Sequence, residues 1–116
     1  EGLVVAVAHL SLGANSRRAQ LAFIAELLSA HPHAVLMGDF NCVPDRPEME
    51  LLYNRTHLRP PAFCVPTFPS WRPQKAIDHI LVSEHLQSAD ARALPAAFSD
   101  HLALALSIDV PQSALS

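Results

Sequence analysis

The sequence predicts an α/β fold in which a mixed sheet carries its helices on one face. Three features lead there. Leu3–Leu10 (LVVAVAHL) is a continuous apolar, β-branched run, the pattern of a strand buried on both faces. Between Ser16 and Ala30, Leu21, Ile24, Leu27 and Leu28 recur at helical spacing with Ala19 and Phe23 beside them, which defines an amphipathic helix. Later, strand-like runs follow one another with no helix between them, at 76–82, 87–93 and 102–108. Alternation early and strand-to-strand pairing late give a mixed sheet rather than a purely parallel one.

The remaining elements follow from their punctuation. Gly13 and Asn15 break the first strand, and Asn15 is the expected N-cap of the helix. Pro32 stops that helix. Ala34–Met37 (AVLM) reads as a short buried strand, with a loop over 38–44. Asp45 is expected to cap a short helix over Glu48–Tyr53, with Pro47 in its first turn. Residues 56–75 are rich in proline and lack periodicity, as in an ordered excursion from the core. Residues 111–116 read as a polar tail.

With 116 residues there is room for one small domain. Half of the chain is apolar and 16% charged, which excludes disorder. The apolar runs fall well short of the roughly 20 residues that span a bilayer, so no membrane span is expected. A net charge of −3 with scattered Lys and Arg, Arg17-Arg18 apart, argues against a non-catalytic nucleic-acid binder. Cys42 and Cys64 could form one bridge, but they lack C-x-x-C spacing, and free thiols in a reducing, cytoplasmic setting are expected. The opening Glu1-Gly2-Leu3 has no initiator Met or signal-like segment and reads as the middle of something longer. Helices on one face leave the other face of an apolar strand uncovered. A missing sheet or a second copy of the chain is therefore expected to cover it.

Four short motifs fall at strand ends, where functional side chains converge in open α/β sheets. They are Val7-Ala8-His9-Leu10, Gly38-Asp39-Phe40-Asn41, Ile77-Asp78-His79-Ile80 and Ser99-Asp100-His101-Leu102. Singly each has a structural reading: His9 as a packing residue, Asp39 and Asn41 as turn formers, Ser99 as a cap. Asp78 inside an apolar strand is harder to explain, because a buried carboxylate needs a partner. His79, its neighbour, points to the opposite face and is read as structural.

The ordered set resembles the endonuclease/exonuclease/phosphatase superfamily, over about Leu3 to Val110, with Arg18 and Gln20 after His9-Leu10 as supporting positions. The resemblance implies a four-layer α/β/β/α sandwich of which residues 1–116 form the C-terminal half. It implies hydrolysis of a phosphoester (nucleic acid, lipid head group or small phosphoester) with Mg²⁺ or Mn²⁺, in a protein similar to small bacterial hydrolases. Carried over by position, Asp39 orients or deprotonates the attacking water, and Asn41 holds water, phosphate or metal. Asp100 ligates the metal together with Asp39 and Asn41. His101 touches the phosphate with Asp78 behind it, and His9 donates to the phosphate or leaving group. Trp71 and Arg72 lie where substrate loops sit, while Arg18 is expected to pack or pair on its helix. The family's Asn-bearing first strand and its Gln-Glu pair, whose Glu is the principal metal ligand, do not occur in these residues. The chain alone is therefore expected to be inactive, to need an N-terminal half, and to pair with a second copy as a homodimer through the bare sheet face. A non-catalytic binding or assembly module on the same fold is the alternative.

Overall fold

The computed structural model describes residues 2–95 and 97–112. Their elements are β1 (Val4–His9), α1 (Ala14–Leu28), β2 (Ala34–Asp39), α2 (Pro47–Arg55), β3 (Leu58–Arg59), β4 (Asp78–Ser83), β5 (Gln87–Leu94) and β6 (Ala103–Asp109). β1 pairs parallel to β2, β2 antiparallel to β4, and β4 antiparallel to β3, giving a mixed sheet of order β1-β2-β4-β3. β5 and β6 form a separate antiparallel pair whose register slips between Ala89 and Arg92. The α/β class expected from the sequence holds, with the late strands divided between two sheets.

Alternation along the strands decides which face meets the helices. Leu21, Ala25 and Leu28 of α1 and Met49 and Leu52 of α2 form one core with Leu36, Phe40, Leu58 and Leu81. Fully burying each such side chain contributes about 1.5–3 kcal/mol. The opposite face carries the rows Val5–Val35–Val82 and Val7–Met37–Ile80. β6 packs against β4 on that side, with Leu104 and Leu106 beside Ile80. The chain therefore supplies part of the cover that the sequence left unaccounted for. Val5 and Val7, at 54% and 77% exposed, are left open on the β1 side.

Several local expectations are corrected. Gly13, not Asn15, caps α1, without a side-chain bond, and Asn15 lies inside the first turn. α1 ends at Leu28, and Leu27 and Phe23 face outward because Leu21, Ala25 and Leu28 take the buried stripe. Arg46 rather than Asp45 precedes α2, which starts at Pro47. The two-residue β3 was not expected from the sequence. The proline-rich excursion is ordered, with Phe68 bridging to Lys75. It is stitched to the β5–β6 connection by Ser70 N–H to the Asp100 carbonyl (2.7 Å) and Leu102 N–H to the Thr67 carbonyl (2.8 Å). Of the tail expected at 111–116, residues 113–116 lie outside the described residues. Among those described, no helix is long and apolar enough to cross a membrane.

Candidate active site

Strand register builds the site. His9 opposes Asp39 across the parallel β1–β2 pair, and Asp39 opposes Asp78 across the antiparallel β2–β4 pair. Paired residues project from the same face, so three strands deliver one imidazole and two carboxylates in a row at one rim. The approach is close because Gly38 sits before Asp39. Its φ is +143°, and a β-carbon there would lie 1.8 Å from the Ala8 carbonyl oxygen. Only glycine fits.

Beyond the strands the loop geometry is fixed by short polar bonds. Asp39 Oδ1 accepts the Asn41 backbone N–H (2.9 Å), the self-bonded turn expected of an Asp-x-Asn segment. Asn41 takes a φ of +52°, a conformation Asn tolerates better than most residues. Its side-chain Nδ2 donates to the Leu10 carbonyl (2.6 Å), tying the exit of β1 to this turn. Gln20 and Arg17 complete the restraint. Gln20 Oε1 accepts from Ser11 N–H (2.9 Å), and Arg17 donates to the Ser11 and Leu12 carbonyls. Arg17 is itself held by Glu48 of α2, Nε to Oε2 at 2.8 Å, with both side chains buried. Burial opposes the Glu48 charge, but its backbone hydrogen bond and Arg17 outweigh that and hold its pKa below the usual value. Arg17 thus has the packing role expected of Arg18, which is exposed.

His101 comes from the other sheet, in the connection between β5 and β6. Its Nδ1 lies 2.6 Å from Asp78 Oδ2, which also accepts from Thr67 Oγ1 at 2.5 Å. The tautomer is set by this contact: Nδ1–H donates, so Nε2 faces outward. That nitrogen is 3.7 Å from Asp39 Oδ2, the same oxygen that His9 Nε2 approaches at 3.7 Å. Phe68 supports the His101 ring at 4.9 Å between centroids. Partial burial works against the charge on His101. The Asp78 hydrogen bond and the charges of Asp78, Asp39 and Asp100 win, and its pKa is raised.

His9, Asp39, Asp78 and His101 therefore converge, with Asn41 as the residue that shapes the loop. Asp39, Asp78 and His101 each offer a ligand atom within 4.8 Å of the others and could hold a metal ion. Asp100 stands outside this tight group, exposed beside His101. Trp71, 76% exposed, shares an open groove with Phe98, Ser99 and Asp100, whereas Arg72 is exposed and does not line it. Thr67, fully buried, is a site residue the sequence did not flag, since its threonine sits in an aperiodic proline-rich stretch. His79 turns away, as strand alternation requires. It is buried, bonds the Cys42 carbonyl at 2.7 Å, and has its pKa lowered chiefly by desolvation. Cys42 and Cys64 are free thiols.

The mixed sheet thus carries at its rim an Asp–His couple that faces a second carboxylate. The chain matches the Endonuclease/Exonuclease/phosphatase family over residues 5–101, and it belongs to that family. No curated protein matches it at a significant level of sequence similarity. Solved structures share the fold. An endonuclease/exonuclease/phosphatase family protein from Bacteroides thetaiotaomicron superposes with a TM-score of 0.74 at 18% identity, covering 88% of this chain and 48% of its own. A mannosyl-6-phosphatase of the same organism gives 0.69 at 17%, covering 90% and 50%. A functionally unknown conserved protein from Enterococcus faecalis gives 0.71 at 23%, covering 89% and 48%. The chain thus spans about half the length of these structures.

Proposed function

We propose that these residues form the C-terminal half of a phosphoester hydrolase, and that hydrolysis depends on a divalent cation. One observation carries the reading: His101 is held between two carboxylates, 2.6 Å from Asp78 and 3.7 Å from Asp39. An Asp–His couple facing a second carboxylate at an accessible rim favours a catalytic role over a non-catalytic module, because perturbed titratable groups cluster where chemistry is done.

The donor chemistry fits a hard cation. Among the described residues the nearest cationic groups to Asp39 Oδ2 are the His9 and His101 Nε2 atoms, each at 3.7 Å, and Asn41 donates with its nitrogen to Leu10. The Asp39 carboxylate, the Asn41 carbonyl and the Asp100 carboxylate would hold Mg²⁺ or Mn²⁺, which favour oxygen. Asp78 is engaged with His101 and Thr67 and serves that histidine instead. When bound, the cation neutralises charge on the phosphoryl oxygens. The protein's own groups do the rest. Charged His101 presents Nε2–H to a phosphoryl oxygen, and Asp78 keeps the ring oriented and protonated. Asp39 takes the proton of the attacking water. His9, exposed at the end of β1, donates to the phosphate or the leaving oxygen.

The residues alone are expected to be inactive, because the family's metal-binding Glu belongs to the other half of the sandwich. That half is also what the open Val5–Val7 surface awaits. The test is a panel of sugar phosphates, phosphodiesters and phospholipids offered to the full-length protein with Mg²⁺ and with Mn²⁺. Turnover that disappears in Asp39→Asn and with EDTA supports the reading. A full-length protein that hydrolyses none of them overturns it.

A further inference from the structure

The same register that gathers the catalytic rim gathers a second set of ligands at the opposite end of the sheet. β2 and β3 both begin there, and β4, antiparallel to each, ends there. One residue before β2 is His33, one residue before β3 is His57, and just after β4 come Glu84 and His85. Their backbones are fixed. The His33 carbonyl accepts from Val4 N–H (2.9 Å), and the His57 carbonyl accepts from Glu84 N–H (2.7 Å). Buried Ser83 clamps β4 to β2, its Oγ accepting from Ala34 N–H at 2.8 Å and donating to the Ala34 carbonyl at 3.2 Å.

The side chains meet above this clamp. His85 Nε2 lies 2.8 Å from His33 Nδ1. The His57 ring stands 6.2 Å from the His85 ring, centroid to centroid. Glu84 Oε1 is 3.4 Å from His57 Nδ1, while its Oε2 is 3.4 Å from Arg59. Arg59 is itself pinned by the Tyr53, Thr56 and Leu58 carbonyls at the end of α2. A carboxylate on Nδ1 is the arrangement that fixes a ligating histidine and leaves its Nε2 free for a metal.

We propose that His33, His57 and His85 form a second cation site, for a late first-row divalent ion such as Zn²⁺, distinct from the oxygen-rich catalytic rim. Imidazole nitrogens select such ions over Mg²⁺. In the structure the His33–His85 contact needs one N–H and one lone pair. To ligate, one of the two imidazoles moves its proton to its other ring nitrogen, so that both nitrogens present lone pairs. Zn–N bonds of about 2.0–2.1 Å in a tetrahedral site place neighbouring ligand nitrogens about 3.3–3.4 Å apart, so the 2.8 Å contact has to open by about half an ångström. His57 and His85 are exposed and His33 is half-buried, so the rings have room to turn. His57, 6.2 Å from His85 between centroids, has the furthest to move to reach an ion held by the other two. The six residues of β2 separate this site from Asp39, a span on the order of 20 Å at the usual rise per residue.

The experiment is a Zn²⁺ titration of the full-length protein against a chromophoric chelator, beside His33→Ala/His85→Ala and Asp39→Asn. The expected result is that the double variant binds one equivalent less than the wild type, while Asp39→Asn keeps that equivalent. Equal stoichiometry in the wild type and a folded double variant overturns the proposal. Should the double variant fail to fold, ¹⁵N-histidine NMR of the wild type decides. Substoichiometric Zn²⁺ that shifts the ring resonances of His33, His57 and His85 supports the site, and unshifted rings overturn it.

Discussion

Asp78 Oδ2 accepts two hydrogen bonds at once, from His101 Nδ1 at 2.6 Å and from Thr67 Oγ1 at 2.5 Å. The carboxylate is thereby locked between a strand, a loop and the connection of the second sheet, and the imidazole has one orientation available. Removing the charge while keeping the shape should show what the couple does. Asp78→Asn in the full-length protein is expected to lower turnover by roughly 10²-fold or more, in the range general acid–base groups supply. The acidic-to-basic limb of its pH–rate profile should also move to lower pH, because His101 loses the partner that raises its pKa. A merely structural Asp78 would lower stability and leave the position of that limb unchanged.

The raised pKa of His101 also has a consequence for folding. A group that binds its proton more tightly when folded stabilises the fold where both states are protonated, below its ordinary value of 6.5. That contribution is lost as pH rises through the higher folded value. Urea unfolding in EDTA is therefore expected to show stability falling from pH 6 to pH 8 by a component that His101→Gln removes. A slope identical in the variant would rule out His101 as its source.

Much of this rim was legible in the sequence. His9, Asp39, Asp78 and His101 each follow or precede an apolar strand, and strand ends are where such residues meet. What sequence spacing cannot convey is contact between distant segments. Arg17 and Glu48 lie on different helices, 31 positions apart, and nothing in either helix marks the pairing. Thr67 looks like any loop residue until the proline-rich excursion folds back on Asp78. The division of the late strands into a second sheet was hidden for the same reason, since a run such as 102–108 announces a strand but not its neighbour. His33, His57 and His85 become a group only once the order β2-β4-β3 is known.

The Arg17–Glu48 pair invites a separate measurement. Both groups are buried, so truncating Arg17 leaves the Glu48 carboxylate with only the exposed Arg46, 3.4 Å away. Arg17→Ala is expected to cost about 3–5 kcal/mol by denaturant unfolding, the range for breaking buried pairs. The double variant Arg17→Met/Glu48→Leu should cost clearly less, because no orphan charge remains. Since the Glu48 pKa is depressed, its contribution is present above the ordinary value of 4.5 and fades as pH falls below it. Wild type and double variant should therefore converge in stability toward acid pH.

Gly38 offers the sharpest steric test. Any side chain there meets the Ala8 carbonyl oxygen at 1.8 Å, in a conformation L-residues avoid. Gly38→Ala must push β1 from β2 or flip the backbone, at about 1–3 kcal/mol for the dihedral alone. Because Ala8 and Gly38 precede His9 and Asp39 in both strands, the variant is expected to lose activity even under conditions where circular dichroism shows it folded. Full activity with unchanged stability would mean that the close approach is not needed.

The open face of the sheet leads to a prediction about the 116 residues studied by themselves. Val5 and Val7 are exposed beside half-buried Met37 on the face that β6 leaves free. The helix-covered face already accounts for α1 and α2, so no element among those described remains to cover them. Contiguous apolar strand surface in water drives association, at roughly 25 cal/mol per Å² removed from solvent. Sedimentation of the isolated chain is expected to show concentration-dependent self-association that Val7→Lys suppresses. In the full-length protein the same substitution should instead destabilise the fold, because a sandwich closed over Val7 would bury the new charge. A monodisperse monomer at every concentration would show that β1 tolerates water on this side, and the argument for a covering half would lose its physical basis.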